Sequence, residues 1–407
     1  MAGPLTGIRV LDLTRQLAGP WSAQMLGDLG ADVIKVERPG EGDEVRTFGP
    51  PFVRYPNGDE SREAPFFFAA NRNKRSITLD LQKPQGQEMI RRLVPHCDVV
   101  IENYRVGTLA RYGLGYEDLR KCREDIIYCS VTGFGQTGPY KDRAGYDSIF
   151  QAMCGQMSIT GIPDGEPGAG PMKAGIATAD ILTGMYTSIA MLGALYHRKV
   201  TGVGQFIDMC LFDSQIAAVT IESLRYLLIG EIPTRTGNVS RNLVPTQLFE
   251  CKTGHLNLTI GNDGQFAQLA KVFGHPEWAQ DPRFRTGSAR RKHRAELIPM
   301  LQEIFRTRTV GEWVDLFAPA GIPCGPVNNL KQVFEDPHTV ARGMRVEVEH
   351  ETLGKIPLVA NPIKYSESPV EYRLAPPLLG QHTRSILAEF AGVTDAEFEQ
   401  LQKNAVI

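Results

Sequence analysis

Short β-branched runs alternate with amphipathic segments over the first 150 residues, and this alternation constrains the fold more than any other feature. Parallel strands joined by crossover helices produce such a pattern. The predicted strands span residues 8–13, 33–36, 76–81, 99–102 and 126–131, and two of the predicted helices span residues 21–29 and 85–94. The predicted fold class is therefore α/β, with a Rossmann-like, doubly wound large domain whose ligands bind beyond the carboxyl ends of the strands.

The sequence pattern changes after residue 229. Before it, a long helix is predicted over residues 178–195, and residues 206–229 are predicted to contain at least one more. After it, a turn-rich stretch precedes a strand pair at 247–250 and 256–260 and amphipathic helices at 265–272 and 295–305. We interpret residues 230–326 as a smaller α+β domain. Residues 1–229 would form the first part of the large domain, and residues 327–407 would return to it.

The charge balance and the cysteine spacing argue against several functional classes. Lys and Arg number 44 against 46 Asp and Glu, so the net charge of −2 leaves no basic excess for a nucleic-acid partner. No uninterrupted apolar run reaches the roughly 18 residues of a membrane span, and the N-terminus lacks the order of a signal peptide. The seven cysteines are scattered without C-x-x-C spacing, and no H-x-x-x-H pair occurs, so no metal site is predicted. We expect a cytoplasmic protein with no membrane partner.

Asp180 is the polar residue that most needs an explanation. It lies in the small, apolar stretch ATADILTG at residues 177–184, at the predicted start of a helix. An aspartate there is usually a cap or first-turn residue, stabilised by free N–H groups and by the helix dipole. The small neighbours would also let a substrate press against the carboxylate, which can act as a nucleophile in a dry site. The local pattern leaves both interpretations open.

Three loop features are compatible with a binding site. GFGQTG at residues 133–138 fits G-x-G-x-x-G, but Pro139 follows where a dinucleotide site needs a helix, so a plain turn is favoured. Basic residues recur at the ends of predicted strands and would suit a polyphosphate; they are Lys35, Arg38, Lys74, Arg75, Arg105 and Arg111. A glycine-bounded loop after a strand of the smaller domain could be either a lid or a static turn; it consists of Gly261, Asn262, Asp263, Gly264 and Gln265.

A series of short motifs occurs in order along the chain. They are GIRVLDL (7–13), QLAGP (16–20), GADVIKVERPG (30–40), NKRSI (73–77), LDL (79–81), ENYR (102–105), GYD (145–147) and GVGQ (202–205). The series resembles the class III CoA-transferases, the family that includes formyl-CoA and carnitine CoA-transferases, over essentially the whole chain. The resemblance implies an interlocked homodimer, in which each chain threads through the other.

The resemblance also implies a chemistry for Asp180. This side chain would attack a donor thioester, form a mixed anhydride and then hold CoA as a thioester until an acceptor acid takes it. No permanently bound cofactor is implied, because the coenzyme A thioester and the carboxylic acid are substrates. The implied lid, residues 261–265, would keep water from the intermediate. The residues implied to contact CoA or to border its thioester are Gln16, Leu17, Ala18, Arg38, Leu79, Asp80, Leu81, Asn103, Tyr104, Arg105, Arg111, Tyr146 and Asp147.

Three further stretches resemble one branch of the family, the succinyl-CoA:glutarate CoA-transferases. They are VPTQLF (244–249), GIPCGPVNN (321–329) and PLLGQHT (377–383). This resemblance favours succinyl-CoA as the donor and a dicarboxylate such as glutarate as the acceptor, and Arg235 and Arg241 would bind the distal carboxylate. The formyl-CoA branch has a nearly all-glycine lid, whereas this chain has Asn262 and Asp263.

Two other functions stay open at this point. The α-methylacyl-CoA racemases of the family share the aspartate but have a histidine where this chain has Tyr146, and tyrosine is a poor acid or base near neutral pH. A non-catalytic CoA-binding protein would use Asp180 only as a cap. Some family members have a lysine directly after Leu-Asp-Leu, and here Gln82 precedes Lys83, so the phosphate contact at that point is also open.

Overall fold

The computed structural model describes residues 3–407, and its internal contacts divide the chain into two units. Unit 1 contains the chain up to Gln156 together with Lys173–Glu231 and Val340–Ile407. Unit 2 contains Met157–Met172 and Ile232–Thr339. The contacts therefore assign residues 157–172 and 327–339 to unit 2, outside the limits of 230–326 predicted for the smaller domain.

Thirteen strands and eighteen α-helices run along the described residues. The strands are β1 (Arg9–Asp12), β2 (Asp32–Glu37), β3 (Lys74–Thr78), β4 (Val99–Glu102), β5 (Ile127–Thr132), β6 (Gly161–Ile162), β7 (Gly170–Pro171), β8 (Phe206–Cys210), β9 (Thr246–Glu250), β10 (His255–Thr259), β11 (Cys324–Pro326), β12 (Arg345–His350) and β13 (Gly354–Val359). The helices are α1 (Ala18–Asp28), α2 (Pro65–Ala69), α3 (Pro84–Leu93), α4 (Thr108–Arg111), α5 (Tyr116–Leu119), α6 (Asp147–Met153), α7 (Gln156–Ile159), α8 (Thr178–Thr201), α9 (Leu211–Ala218), α10 (Thr220–Ile229), α11 (Asp263–Val272), α12 (Gly287–Lys292), α13 (Arg294–Phe305), α14 (Val310–Phe317), α15 (Leu330–Glu335), α16 (Pro337–Ala341), α17 (Thr383–Ala391) and α18 (Asp395–Lys403).

Unit 1 is built on a six-stranded parallel sheet with the order β3-β2-β1-β4-β5-β8. Along the chain these strands are the third, second, first, fourth, fifth and sixth, which is the order of a doubly wound sheet. The predicted α/β class and the five predicted strands are confirmed. Residues 206–229, predicted to contain at least one helix, contain α9 and α10, and the first residues of this stretch form the edge strand β8, which was not predicted. Its apolar residues fall at 206, 207, 209 and 210, a spacing that fits one face of a helix as well as it fits a strand.

The two faces of this sheet bury separate hydrophobic cores. Leu11, Ile34 and Val100 point to one face, which is covered by α3 and by the C-terminal helices α17 and α18. Their sequence neighbours Val10, Val33 and Val99 point to the other face, which α1 and α8 cover. Alternate side chains of a strand point to opposite faces, so a strand buried on both sides needs a continuous apolar run. This requirement explains why the strands of the first 150 residues are so clear in the sequence.

Unit 2 has its own small core. Strands β9, β10 and β11 form an antiparallel sheet, and the first two are the strand pair that the sequence predicts. Phe249, Phe305, Trp313 and Phe317 are buried between this sheet and its helices. Phe249 and Phe305 stack with ring centroids 4.4 Å apart, an arrangement that contributes beyond the area it buries.

Within residues 3–407, no helix is both long enough and apolar enough to cross a lipid bilayer.

Candidate active site

Asp180 is the third residue of α8, and another aspartate caps the start of this helix. The N-cap position of α8, Ala177, offers no side-chain oxygen. Asp147, the first residue of α6, supplies one: its Oδ1 accepts the N–H groups of Ala179 at 2.8 Å and of Asp180 at 3.4 Å. Because Asp147 satisfies these donors, the carboxylate of Asp180 is not needed as a cap.

The carboxylate of Asp180 is half-buried and has no hydrogen-bond or ion-pair partner among residues 3–407. Burial and, to a smaller extent, the negative charge of Asp147 together raise the pKa of its carboxyl group to about 7. A carboxylate that is neither hydrated nor paired is a better base and nucleophile than one in water. Such a strongly shifted acid without a structural partner is typical of a functional site.

A set of glutamines fixes the segment that leads into α8. Gln151 accepts the N–H of Ala174 at 2.8 Å, and its amide donates to Asp147 Oδ2 at 2.5 Å. Gln156 Oε1 accepts from Thr178 Oγ1 and from the amide of Gln215, both at 2.8 Å. Sequence analysis missed these glutamines, and the only signal for them is the spacing of four residues that places Gln151 one turn after Asp147.

Helix α1 places the loop of residues 13–17 beside Asp180. A Cβ atom on Gly184 would lie 2.8 Å from the carbonyl oxygen of Ala18, and Ser188 Oγ lies 3.5 Å from that of Ser22. Both contacts advance by four residues along each helix, so α1 and α8 run parallel. Asp180 lies one turn before Gly184 and therefore near the N-terminal end of α1, into which the loop of residues 13–17 leads.

The backbone of this loop is held in place from two sides. Asn103 clamps Arg15, because its Oδ1 accepts the Arg15 N–H at 2.9 Å and its Nδ2 donates to the Arg15 carbonyl at 2.7 Å. The N–H of Gln16 donates to Asp43 Oδ1 at 3.1 Å. Gln16 has a φ of 70°, a left-handed conformation that costs free energy for a residue other than glycine and that these contacts offset. Asn103, implied by resemblance to contact CoA, therefore also positions the loop next to Asp180.

A fully buried ionic network lies under the same loop. Lys74 Nζ contacts Asp12 Oδ2, and Lys35 Nζ contacts Asp43 Oδ2, each at 2.9 Å, with all four side chains 0% exposed. Burial alone would raise the pKa of Asp12, but Lys74 and Lys35 hold it below its usual value. Lys35 also donates to the carbonyl of Thr14. The interpretation of Lys35 and Lys74 as phosphate ligands is wrong, because both are buried supports of the loop.

A cavity of about 170 Å³ opens beyond the carboxyl ends of β2, β3 and β4. Its lining includes five of the residues implied to bind CoA, which are Arg38, Leu79, Asp80, Leu81 and Tyr104. Sequence analysis missed other residues of its wall, among them Arg15, Glu41, Glu44 and Tyr112. Of the two residues that follow Leu-Asp-Leu, Gln82 lines the cavity, whereas Lys83 Nζ donates to the carbonyls of Asn404 and Ala405.

The remaining implied CoA contacts in unit 1 are not among the residues that line this cavity. The side chain of Arg105 is exposed and has no ion-pair or hydrogen-bond partner in the described part of the chain, and the side chain of Arg111 donates only to Thr108 Oγ1 at 3.3 Å. Both side chains are therefore available to an anion. Tyr146 is 68% exposed and directly precedes Asp147. Leu17 and Ala18 are buried at the start of α1.

In unit 2, the loop of residues 261–265 forms an ordered start to α11. Asn262 caps the helix by accepting the N–H of Gln265 at 2.9 Å, and the Gln265 side chain accepts the N–H of Gly261 at 2.7 Å. Asp263 pairs at 2.9 Å with Arg290, which is buried. Of the two interpretations left open by the sequence, this geometry matches the static turn, and a role as a lid stays a prediction.

Both candidate substrate arginines have partners within unit 2. Arg235 forms an ion pair with Asp164 and donates to the carbonyl of Ile162 at 3.0 Å. Arg241 donates to the carbonyl and to Oγ1 of Thr234. A substrate carboxylate that bound either guanidinium would therefore have to share it with these groups or displace them.

The chain matches the family model for CoA-transferase family III over residues 5–383. A succinate–glutarate CoA-transferase of Agrobacterium fabrum is 48% identical over 391 residues, which cover 95% of this chain and 95% of that protein. A succinyl-CoA:glutarate CoA-transferase of Mus musculus is 43% identical over 404 residues, covering 99% of this chain and 90% of that protein. The crystal structure of a CAIB/BAIF family protein from Brucella suis matches with a TM-score of 0.85 and 44% identity, and the match covers 96% of this chain and 100% of that one.

Proposed function

The chain belongs to CoA-transferase family III and is an enzyme of the CoA-transferase type, and from this premise we propose that it moves CoA from succinyl-CoA to a dicarboxylic acid, with glutarate as the first candidate. The observation that carries the proposal is the state of Asp180. Its carboxylate is unpaired, half-buried and raised in pKa to about 7, while Asp147 performs the capping role.

In the proposed reaction, Asp180 carries first the acyl group and then CoA. A carboxylate oxygen attacks the thioester carbonyl, the C–S bond breaks, and CoA leaves as a thiolate with the acyl group joined to Asp180 as a mixed anhydride. The thiolate then attacks the aspartyl carbonyl, which releases the donor acid as a carboxylate and leaves CoA on Asp180 as a thioester. The acceptor carboxylate repeats both steps in reverse order, and Asp180 is regenerated.

The two covalent intermediates must be kept from water, because hydrolysis would waste the activation of the acyl group. The proposed lid is the loop Gly261, Asn262, Asp263, Gly264 and Gln265 of unit 2. Arg235 and Arg241 are the proposed ligands of the distal carboxylate of the substrate. The present partners of both arginines are oxygen acceptors of the protein. A substrate carboxylate, which is also an oxygen acceptor, would replace them.

We place the CoA moiety along the cavity in unit 1. The cavity is lined by Arg15, Tyr104 and Tyr112, and Arg105 and Arg111 are the sequence neighbours of the two tyrosines. Flat apolar side chains and free guanidinium groups are suitable partners for a nucleotide and its phosphates. The proposed contacts are the thirteen that the family resemblance implies, with Asn103 and Asp147 acting mainly by positioning neighbouring groups.

We also propose that the active species is a homodimer in the cytoplasm. Helix α10 exposes a row of large apolar side chains, Leu227, Leu228 and Ile229, which are 70–77% exposed in the single chain. Ile189 and Tyr196 on α8 are also largely exposed. Soluble monomers rarely leave so many large apolar groups in water, and a second copy of the chain would cover them.

The racemase and the non-catalytic alternatives gain no support. A racemase needs a second acid or base opposite the aspartate, and the chain offers the phenol of Tyr146 at that position. A non-catalytic protein would need Asp180 as a cap, and Asp147 already fills that role.

The function is tested by mixing the protein with succinyl-CoA and one acid at a time, drawn from glutarate, itaconate, mesaconate and citramalate. Mass spectrometry of the small molecules should show the CoA ester of a dicarboxylic acid, formed fastest from glutarate. Asp180→Asn should abolish turnover, and Asp142→Asn, at an exposed aspartate, should retain it. Deuterium exchange at the α-carbon without transfer to any acid would instead establish a racemase.

A further inference from the structure

Arg15 points its guanidinium into the wall of the cavity in unit 1, at the loop that lies beside Asp180. Its Nη1 donates to Glu44 Oε1 at 2.8 Å, and its Cζ lies 5.1 Å from the centre of the Tyr104 ring. Its Nε atom is buried and has no hydrogen-bond partner in the part of the chain described. A buried donor without an acceptor is costly, so the pairing with Glu44 does not satisfy this side chain fully.

The backbone of Arg15 is fixed while its side chain is held by one exposed group. Asn103 binds both backbone polar atoms of Arg15, and buried Asp43 holds the N–H of Gln16. The guanidinium itself is held by Glu44, and the two side chains are 41% and 48% exposed. The guanidinium can therefore exchange its partner without any movement of the loop.

The second oxygen of Glu44 binds the neighbouring side chain. Its Oε2 accepts from Gln16 Nε2 at 2.6 Å. One carboxylate thus uses both oxygens to bridge the donors of Arg15 and Gln16, which is the way a phosphate or a substrate carboxylate would bind them. The adjacent Asp43 cannot take this role, because Lys35 and two backbone N–H groups already use its oxygens.

We propose that Arg15 is an oxyanion-binding residue for the substrate and that Glu44 is its resident competitor, which the ligand displaces on binding. The inference rests on the proposed function in that the ligand is a CoA thioester or its acid partner. The oxyanion is either a phosphate of CoA or the distal carboxylate of the acid, since Arg15 lines the cavity and its loop leads into α1, whose first residue packs against α8 one turn from Asp180. By competing for Arg15, Glu44 weakens binding and hastens release of the product.

The charge of the cavity wall supports this role. Glu37 and Asp43 are neutralised by the buried cations Arg46 and Lys35. The remaining charged residues of the wall are two cations, Arg15 and Arg38, and three anions, Glu41, Glu44 and Asp80. The wall therefore has an excess of negative charge, although the proposed ligand is itself a polyanion. Removing one of these carboxylates should therefore strengthen CoA binding. The gain should depend on the presence of Arg15 only when the carboxylate removed is that of Glu44.

The test is a double-mutant cycle on CoA binding, measured by isothermal titration calorimetry with wild type, Glu44→Gln, Arg15→Gln and the double variant. Glu44→Gln should tighten CoA binding about fivefold, the scale of one charge pair near a surface, and Arg15→Gln should weaken it about as much. In the Arg15→Gln background, the gain from Glu44→Gln should fall below about twofold. Thermal melting of each variant establishes that all four are folded.

Glu41→Gln is the matched control. Glu41 pairs with Arg38 at 3.1 Å on the same wall, so this variant removes the same charge, and its effect on CoA binding should be equal with and without Arg15. Pantetheine, which has no phosphate, and glutarate, through its KM, identify the oxyanion. A gain for CoA but not for pantetheine assigns it to a phosphate, and a gain for glutarate but not for CoA assigns it to the carboxylate.

The inference is overturned if Glu44→Gln leaves both CoA and glutarate binding unchanged or weakens them, or if its gain survives the loss of Arg15. A wild-type protein that binds no CoA would defeat the proposed function itself. The two failures are distinguishable because the wild-type titration is read before any variant.

Discussion

Asp147 and Asp180 divide between them the two tasks that an aspartate at a helix start can perform. Asp147 accepts the free N–H groups of α8 and so has structural partners on both oxygens. Asp180 keeps an unpaired carboxylate in a half-buried position, where it is expensive to ionise. This division gives an unusually basic aspartate without leaving the helix uncapped.

Replacement of Asp147 by Asn should shift the pH dependence of the reaction. The Asn oxygen still accepts the N–H groups of α8, but the negative charge that raises the pKa of Asp180 is gone. Because the carboxylate is the nucleophilic form, kcat/KM of wild type should rise with pH through about 7. In Asp147→Asn the midpoint should move to lower pH by about one unit or less, since burial, the larger cause, remains. A profile that is unmoved, or that moves upward, would contradict this relation between the two aspartates.

Replacement of Asp180 by Asn should stabilise the protein above neutral pH. The pKa of Asp180 is raised from 3.8 to about 7 on folding, so the wild type loses stability as pH rises from about 4 to 7 and does not regain it above. Asn has no such penalty. The free energy of unfolding of Asp180→Asn should therefore be about 1–3 kcal/mol higher than that of the wild type at pH 8, with a smaller difference at pH 5. Urea denaturation at both pH values measures this, with Asp142→Asn as the control. A destabilised Asp180→Asn variant would mean that the residue is a structural cap.

At the scale of elements, the site depends on how closely α8 packs against α1. Gly184 has no Cβ atom, so α8 can contact the backbone of Ala18 in α1 directly. This contact determines the position of Asp180 relative to the loop at residues 13–17. The buried pairs of Lys35 with Asp43 and of Lys74 with Asp12 then fix that loop from below. Separating either pair would leave a buried charge without a partner, which is costly. The two pairs therefore restrain the loop.

Gly184→Ala should lower both stability and turnover, against the ordinary preference of a helix. At an exposed position within a helix, alanine is more favourable than glycine by about 1 kcal/mol. Here its Cβ would lie 2.8 Å from the carbonyl oxygen of Ala18 and 3.0 Å from Trp21 Cδ1, so the helices must separate. We expect a net loss of about 1–3 kcal/mol in the free energy of unfolding and a fall in kcat as Asp180 moves. A Gly184→Ala variant as stable and as active as wild type would show that the contact does not position Asp180.

The sequence predicted the elements whose cause is local and missed those whose cause is distant. The central strands were evident, since burial on both faces demands apolar runs, but the edge strand β8 was not predicted separately from the helices that follow it. Lys35 and Lys74 looked like phosphate ligands because their partners Asp43 and Asp12 are joined to them only by the folded sheet. The ordered start of α11 depends on Arg290, which lies 27 positions beyond Asp263. Asp180 itself was identified by family resemblance, because its local pattern equally suits a cap.

At the scale of the whole molecule, the exposed apolar row on α10 is the feature that the single chain does not explain. Leu228 is 77% exposed, so a charge at this position should leave the folding of one chain almost unaffected. In a dimer the same charge would be buried without a partner, at a large cost. A measurement of the oligomeric state therefore tests this surface independently of the folding of the single chain.

Leu228→Lys should weaken the proposed homodimer. Light scattering of the wild type should give twice the chain mass of 45.0 kDa, and the variant, refolded from denaturant so that threading does not already hold the chains together, should give a lower average mass with a nearly unchanged circular dichroism spectrum. Turnover should fall together with the dimer fraction if the assembly is needed for activity. A wild type that scatters as a monomer would contradict the dimer, and a dimeric Leu228→Lys variant would place the interface elsewhere.

Whether Asp180 takes an acyl group and then CoA is decided by intact-mass spectrometry after mixing with succinyl-CoA in the absence of any acceptor. The wild type should gain a mass equal to CoA less one water, which hydroxylamine removes and which maps to the peptide that contains Asp180. The same treatment of Asp180→Asn should leave the mass unchanged, whereas Asp142→Asn should gain it as wild type does. An unmodified wild type, or an adduct that persists in Asp180→Asn, would contradict the account.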